Sequence, residues 1–419
     1  MSEYHAKLSP SGASRWMACP GSIVLEADYP DTGSAYADEG TAAHTLAAMV
    51  LVSTGINADD FLGEHIHVGD RKFEVTKDMA RYVQSYVSFV RERAQGKLLY
   101  VEQRVPIGHL TGEADATGTA DAIIVDAAAR SITVIDLKYG MGVVVEAENN
   151  EQAQMYALGA MEELSLVADF DTATMVIHQP RIRPEPSEWT VDAAVLTTFA
   201  ERVAAAADGV SAAAAWHKQP ERLASGDWAE AYLAPGEKQC KFCRAKPTCP
   251  ALLAEVAMAV GTEAPATAED FAEMVVETIN ETTGDNWLPV AMSKVDLVEQ
   301  WCKAVRAETE RRLLLGQPVD GYKLVEGRAG PRKWADASAA EELLKSFRLK
   351  SDEMYDKVLI SPTTAEKVLK ETPRRWEKAK VLISRSSGKP SVAPATDKRP
   401  AISVTATAED FAALAATAE

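Results

Sequence analysis

The stretch "ITVIDLKYG", residues 132–140, constrains this chain more than any other. Its apolar residues read as the inside of a strand, yet it ends in Asp136 and Lys138, and burying either charge is costly unless something offsets it. Residues two apart on a strand face the same side, so Asp136 and Lys138 share one face and Leu137 takes the other. The preceding strand, "GTADAIIV", supplies Asp121, and a short turn at 126–130 folds it back beside Asp136. Two carboxylates and an ammonium in one small volume suit a hard divalent cation such as Mg²⁺ or Mn²⁺. The cation would offset the carboxylates, while Lys138 orients or helps activate an attacking water and stabilises charge developing on a phosphate. Hydrolysis of a phosphodiester is the natural reaction. Taken alone, D-x(14)-D-x-K also describes a solvated hairpin with a surface ion pair.

With 419 residues, the chain is expected to hold one substantial domain plus an accessory region. A formal charge of −18 argues against wholesale coating of DNA or of an anionic membrane, and leaves room for a local basic cleft. No run approaches the roughly 20 apolar residues of a membrane helix. The first residues, "MSEYHAKLSPSG", lack the apolar core of a signal peptide, so a cytoplasmic location without membrane contact is expected.

Capped helices over 9–50 and a helix at 76–95 precede the strand "KLLYVEQRVPI", the two strands already described, the helix "NNEQAQMYALGAMEEL" and the strand "TATMVIHQPRI". This alternation predicts an α/β core, a mixed sheet flanked by helices. An Ala-rich helix at 190–215 and a cysteine cluster follow. The expected division is a core domain with the cysteine cluster at 1–258, a linker at 259–283, an α+β accessory domain at 284–383, and an extended or disordered tail with a short terminal helix at 384–419. Within the accessory domain, "GYKLVEGRAGPRKW" alternates like a strand pair. "ATAEDFA" occurs at 266–272 and 406–412, either as a reused capping box or as two docking helices exposing Phe271 and Phe411.

Four motifs now stand in order: Gly40 to His44, Gly118 with Asp121, Asp136 to Lys138, and Gln152 to Tyr156. Their order and spacing resemble the RecB-like branch of the PD-(D/E)XK nucleases, which includes the nuclease domain of AddB and the CRISPR-associated RecB-like nucleases. The resemblance covers roughly residues 9–255 and implies a restriction-endonuclease-like core. It implies that His44, Asp121, Asp136 and the backbone carbonyl of Leu137 bind Mg²⁺ or Mn²⁺, and that Lys138 is the catalytic lysine. Gln152 and Tyr156, one helical turn apart, would approach the DNA backbone. Glu102 in "YVEQRV" could approach from the neighbouring strand, although a surface carboxylate is the plainer reading.

Five cysteines form no disulfide framework in such a chain. Cys240, Cys243 and Cys249 make C-x2-C-x5-C, and Cys19 lies far upstream in "SRWMACPGS". Iron-sulfur members of the RecB-like group have a similar layout, which implies a [4Fe-4S] cluster stapling the two ends of the domain together. Zinc is the alternative, although zinc ribbons usually show two close pairs. Cys302 reads as an ordinary helix-core residue.

The remainder of the chain is similar to the tail of a phage and prophage family of unknown function carrying this nuclease core, in "GYKLVEGR" with its following "RKW" and in "GKPSVAPATDKRPAI". Arg328, Arg332, Lys333, Arg374, Arg375, Lys378 and Lys380 could contact phosphates, with Trp334 and Trp376 stacking on bases, or could be solvated faces. The resemblance implies a metal-dependent exonuclease processing DNA ends in phage recombination or replication. A catalytically silent DNA-end binding module on the same fold is the alternative, and a restriction-type endonuclease is a third reading. No G-x-x-x-x-G-K-[ST] loop occurs, so the chain would need pre-exposed ends or a partner such as a phage single-strand-binding or annealing protein, or a helicase.

Overall fold

The computed structural model describes residues 6–30, 35–219, 227–259, 292–327, 333–355, 359–370, 372–384, 388–394 and 398–402. Both "ATAEDFA" segments, nearly all of the expected linker, and Arg328 and Arg332 lie outside these residues. The chain divides into two compact units, Met1–Trp301 and Cys302–Glu419. No helix among the described residues is long and apolar enough to cross a membrane.

The first unit is built on a mixed five-stranded sheet in the order β3 (Leu98–Pro106), β4 (Thr117–Asp126), β5 (Ser131–Leu137), β6 (Thr172–His178) and β7 (Ser187–Asp192). Only β5 and β6 are parallel, and the connection between them contains the helix Glu151–Glu163. A separate hairpin, β1 (His65–Val68) with β2 (Arg71–Glu74), accompanies it. That hairpin and β7 had no counterpart in the sequence reading. Each is short, and β7 alternates half-buried with exposed residues, so neither presents a long apolar run.

Each face of the sheet has its own core. On one face, the helices Ala35–Val52 and Lys77–Arg93 pack against Ala122, Ile124, Ile135 and Leu137. The first helix buries Ala42, Ala43, Leu46, Ala47 and Val50, and the second Met79, Ala80, Val83, Tyr86, Val87 and Val90, which is the three-and-four spacing of a helix stripe. Thr76 caps the second helix by accepting the Met79 N–H at 3.2 Å. On the other face, the helix Glu151–Glu163 covers Ile123, Val125, Ile132 and Val134.

This alternation changes phase in one place. Leu99 and Val101 of β3 pack on the first face, whereas Val105, of the same parity, packs on the second. On β4, Ala122 and Ile124 belong to the first face, yet Ala120 belongs to the second. Between these positions lies Glu102 with φ +49°, a left-handed backbone that only glycine adopts freely. The ladder pairs Val101 with Ala122 and Gln103 with Ala120, which sets Glu102 opposite Asp121. The break in pleat therefore falls on two carboxylates.

In the second unit, β8 (Tyr322–Gly327) pairs with β11 (Gly388–Pro394), and β9 (Lys333–Trp334) with β10 (Ile383–Ser384). The expected pairing within 321–334 is thus corrected, since each half finds its partner more than 45 residues downstream. Trp334 and Trp376, the residues that could stack on bases, contribute to a small core of this unit. Both are half-buried against the core of Leu344, Phe347, Met354, Leu369 and Ala379, and the Trp334 indole donates to the Ile360 carbonyl at 3.0 Å. Arg375 likewise donates to the Phe347 carbonyl at 3.1 Å. Cys302 is half-buried on the helix Val295–Leu314 rather than fully in a core.

Candidate active site

Asp121 is the meeting point of three elements. One of its oxygens lies 3.1 Å from Nδ1 of His44, on the helix Ala35–Val52, and the other accepts the backbone N–H of Leu137 at 2.7 Å. The β4–β5 ladder stops at the Ala122–Ile135 pair, so the Asp121 side chain takes over a hydrogen bond that the next backbone pair would have made. Glu102 completes the group: ligand atoms of His44, Glu102 and Asp121 all lie within 4.8 Å of one another, a set that could hold a metal ion. Glu102 is exposed, but it belongs to this cluster and is no isolated surface carboxylate.

Although the residue as a whole is exposed, partial desolvation of its carboxyl group, followed by the charge of Asp121, raises the Glu102 carboxyl to about 7. Burial works against protonation of His44, and the facing Asp121 outweighs it, so the imidazole sits above its ordinary value.

Asp136 stands outside that group of three. It is 3% exposed, and its burial, opposed by Lys138 and reinforced by Asp121, raises its pKa. Lys138 Nζ donates to Asp136 Oδ1 at 3.2 Å and to Gln152 Oε1 at 2.7 Å. Asp136 Oδ2 lies 2.9 Å from the ammonium but receives no directed hydrogen bond. A buried carboxylate oxygen left this way has the chemistry of an open ligand position. Gln152 passes the chain on, its amide donating to the Tyr156 hydroxyl at 3.3 Å. Asn150 fixes where Gln152 sits by capping the helix, accepting the Ala153 N–H at 3.0 Å.

The structure thus joins two groups through Leu137 and Asp121: His44, Glu102 and Asp121 on one side, and Asp136, Lys138, Gln152 and Tyr156 on the other. Leu137 itself is fully buried, and its described contact with the site is the N–H donated to Asp121.

The two motif glycines differ in what surrounds them. A Cβ on Gly40 would meet nothing within 4 Å, whereas one on Gly118 would come within 2.8 Å of the Tyr156 ring and 3.0 Å of Pro10. Gly118→Ala should therefore push Tyr156 off Gln152 and loosen the Lys138 hydrogen bond.

Beyond Lys138, the chain is pinned by buried Gln179, whose amide donates to the carbonyls of Gly140 at 3.2 Å and Val143 at 2.7 Å. Its oxygen accepts the Val145 N–H at 3.1 Å. The segment leaves Met141, Val143 and Val144 exposed. Gln179 carried no signal in the sequence, because its role is to satisfy backbone groups of a segment more than 30 residues away.

Cys19, Cys240, Cys243 and Cys249 are all buried and line one pocket together with Lys246. Ala234 N–H points at the Cys19 sulfur and Gly236 N–H at the Cys240 sulfur, each at 3.4 Å. Burial raises all four thiols, Cys243 to about 12 and Cys249 to about 11. Glu26, buried and paired with Arg15 at 3.0 Å, accepts the Arg244 N–H at 2.7 Å and so ties the cysteine loop to the N-terminal segment.

A family model described as a protein of unknown function (DUF2800) matches residues 5–400. Among solved structures, that of an alkaline exonuclease from Laribacter hongkongensis overlaps with a TM-score of 0.24 and 12% sequence identity, covering 50% of this chain and 95% of that one. An overlap so slight carries no weight for fold or function.

Proposed function

The chain belongs to the DUF2800 family, whose function is unknown, and from the site itself we propose that it is a metal-dependent DNA nuclease. The observation that carries this reading is the Lys138 ammonium, held between Asp136 and Gln152, directly beside the His44, Glu102 and Asp121 group. Hard oxygens with one imidazole fit Mg²⁺ or Mn²⁺, and Asp136 Oδ2, held only by the charge of Lys138 at 2.9 Å, leaves lone pairs that a cation could use. His44, Glu102, Asp121 and Asp136 would hold the ion.

When bound, such a cation polarises a phosphoryl oxygen and lowers the pKa of a coordinated water. The chain's own residues supply the rest. Lys138 presents a positive donor where charge grows on the phosphate and orients the incoming water. Asp136 and Gln152 hold that ammonium in place, and Tyr156 steadies Gln152. The motif order and the mixed sheet support membership of the RecB-like PD-(D/E)XK nucleases. Within that reading the protein is an exonuclease that processes DNA ends in phage recombination or replication.

The cysteines are the second part of the proposal. Four thiols drawn from both ends of the first unit, with backbone N–H groups aimed at sulfur, suit a [4Fe-4S] cluster, and tetrahedral zinc is the alternative. Lys246 in the same pocket offsets thiolate charge.

Full-length protein incubated with end-labelled linear and with circular duplex DNA should degrade the linear form in Mg²⁺ or Mn²⁺, spare the circle, and do nothing in EDTA. Cleavage of the circle would make it an endonuclease. DNA binding without hydrolysis under every condition would leave a silent end-binding module.

A further inference from the structure

Behind His44, Glu102 and Asp121 lies a polar atom with nothing to bond. Tyr86, on the helix Lys77–Arg93, is 1% exposed, and its hydroxyl has no hydrogen-bond partner. It lines the same hollow as His44, Glu102 and Asp121, whose other walls include Ala47, Leu51 and Leu137. The ring is held from behind, edge-on to His178 with centroids 5.7 Å apart. A hydroxyl orphaned in such a place is a cost that phenylalanine would avoid. A phenol carries an O–H, so the group that shares this hollow with the carboxylates is a donor.

We propose that Tyr86 is a positioning residue of the cation site: its phenol O–H, unpartnered without the ion, donates to a carboxylate oxygen of the His44, Glu102 and Asp121 set once that set is gathered around a cation, and holds that carboxylate in its ligating orientation. The inference rests on the metal-dependent reading above. Its physical basis is that carboxylate ligands depend on outer hydrogen bonds for orientation, and losing one weakens metal binding by about 10- to 100-fold. Tyr86 sits in the core behind the ligands, which suits a support better than a group that touches DNA.

The test uses full-length protein and Mn²⁺ alone, with no DNA, following free Mn²⁺ by electron paramagnetic resonance. Asp121→Ala identifies the binding that belongs to this site. Tyr86→Phe should raise the Mn²⁺ Kd by about 10-fold. At the same time it should leave the metal-free Tm unchanged or raise it by roughly 2–4 °C, because an unpaired buried hydroxyl has been removed. Those two opposite signs together mark a positioning role. An unchanged Kd overturns it, and so does a fall in metal-free Tm, which would mean that the hydroxyl serves packing instead. If wild-type protein shows no Asp121-dependent Mn²⁺ binding, the cation site itself fails and Tyr86 falls with it. If that binding is present and Tyr86→Phe matches it, only the Tyr86 proposal is lost.

Discussion

Asp136→Asn protein should unfold at or above the wild-type temperature, retain DNA binding, and release nucleotides at least roughly 10³-fold more slowly. The two halves of that result have separate causes. Asp136 is buried close to Asp121, and burial pushes its carboxyl toward the neutral form, so in the metal-free protein the charge is a burden rather than a support. The amide fills the same volume and buries no charge, and that gain, with the lost repulsion from Asp121, offsets the lost attraction to Lys138. On the proposed mechanism hydrolysis suffers, because the variant loses both a candidate ligand oxygen and the anion that holds Lys138. Lys138→Met should lose turnover to a similar degree while keeping Mn²⁺ affinity, since the ammonium is no ligand. Steady-state rates beside thermal melts on the same preparations check both variants. Wild-type turnover in Asp136→Asn would sink the nuclease assignment, whatever its stability.

Cys19→Ser should be the most damaging single substitution outside the active site. The proposed cluster, bridging Cys19 to Cys240, Cys243 and Cys249, would close most of the first unit into one loop. By the chain-entropy estimate for cross-links, that closure stabilises the fold by about 5 kcal/mol. Some of the connection survives without it, because Glu26 binds both Arg15 and the Arg244 backbone. The variant should therefore lose its metal content and melt far below wild type, with the N-terminal segment intact in sequence but loosely held. Cys302→Ser, half-buried and far away in sequence, should change stability by about 1 kcal/mol or less. Anaerobically purified wild-type protein should be brown, with iron and sulfide in equal amounts. Colourless protein with one zinc per chain would move the site to the zinc alternative. A melting temperature indifferent to both metal removal and Cys19→Ser would remove the clasp altogether.

Much of the Lys138 side of the site is local in origin. The shared face of Asp136 and Lys138 follows from the period of two along β5, and the Gln152–Tyr156 pairing from one turn of helix. Neither depends on distant residues, so a single sequence contains both. The side built on His44, Glu102 and Asp121 is different. Glu102 reaches His44 and Asp121 only through the β3–β4 register and a left-handed φ at a non-glycine position, which no residue type announces. Tyr86 looks like any apolar stripe residue on its helix, and only packing sets its hydroxyl behind the carboxylates.

The same division runs through the fold. Helix stripes, the caps at Thr76 and Asn150, and the strand–helix alternation are short-range properties, and they determine a mixed α/β core from sequence alone. The partners of β8 and β9, the two half-buried tryptophans and the gathering of four cysteines were decided by tertiary structure. Strand pairing and side-chain convergence depend on which distant surfaces bury each other, and the energies that select them are summed over contacts no local window contains.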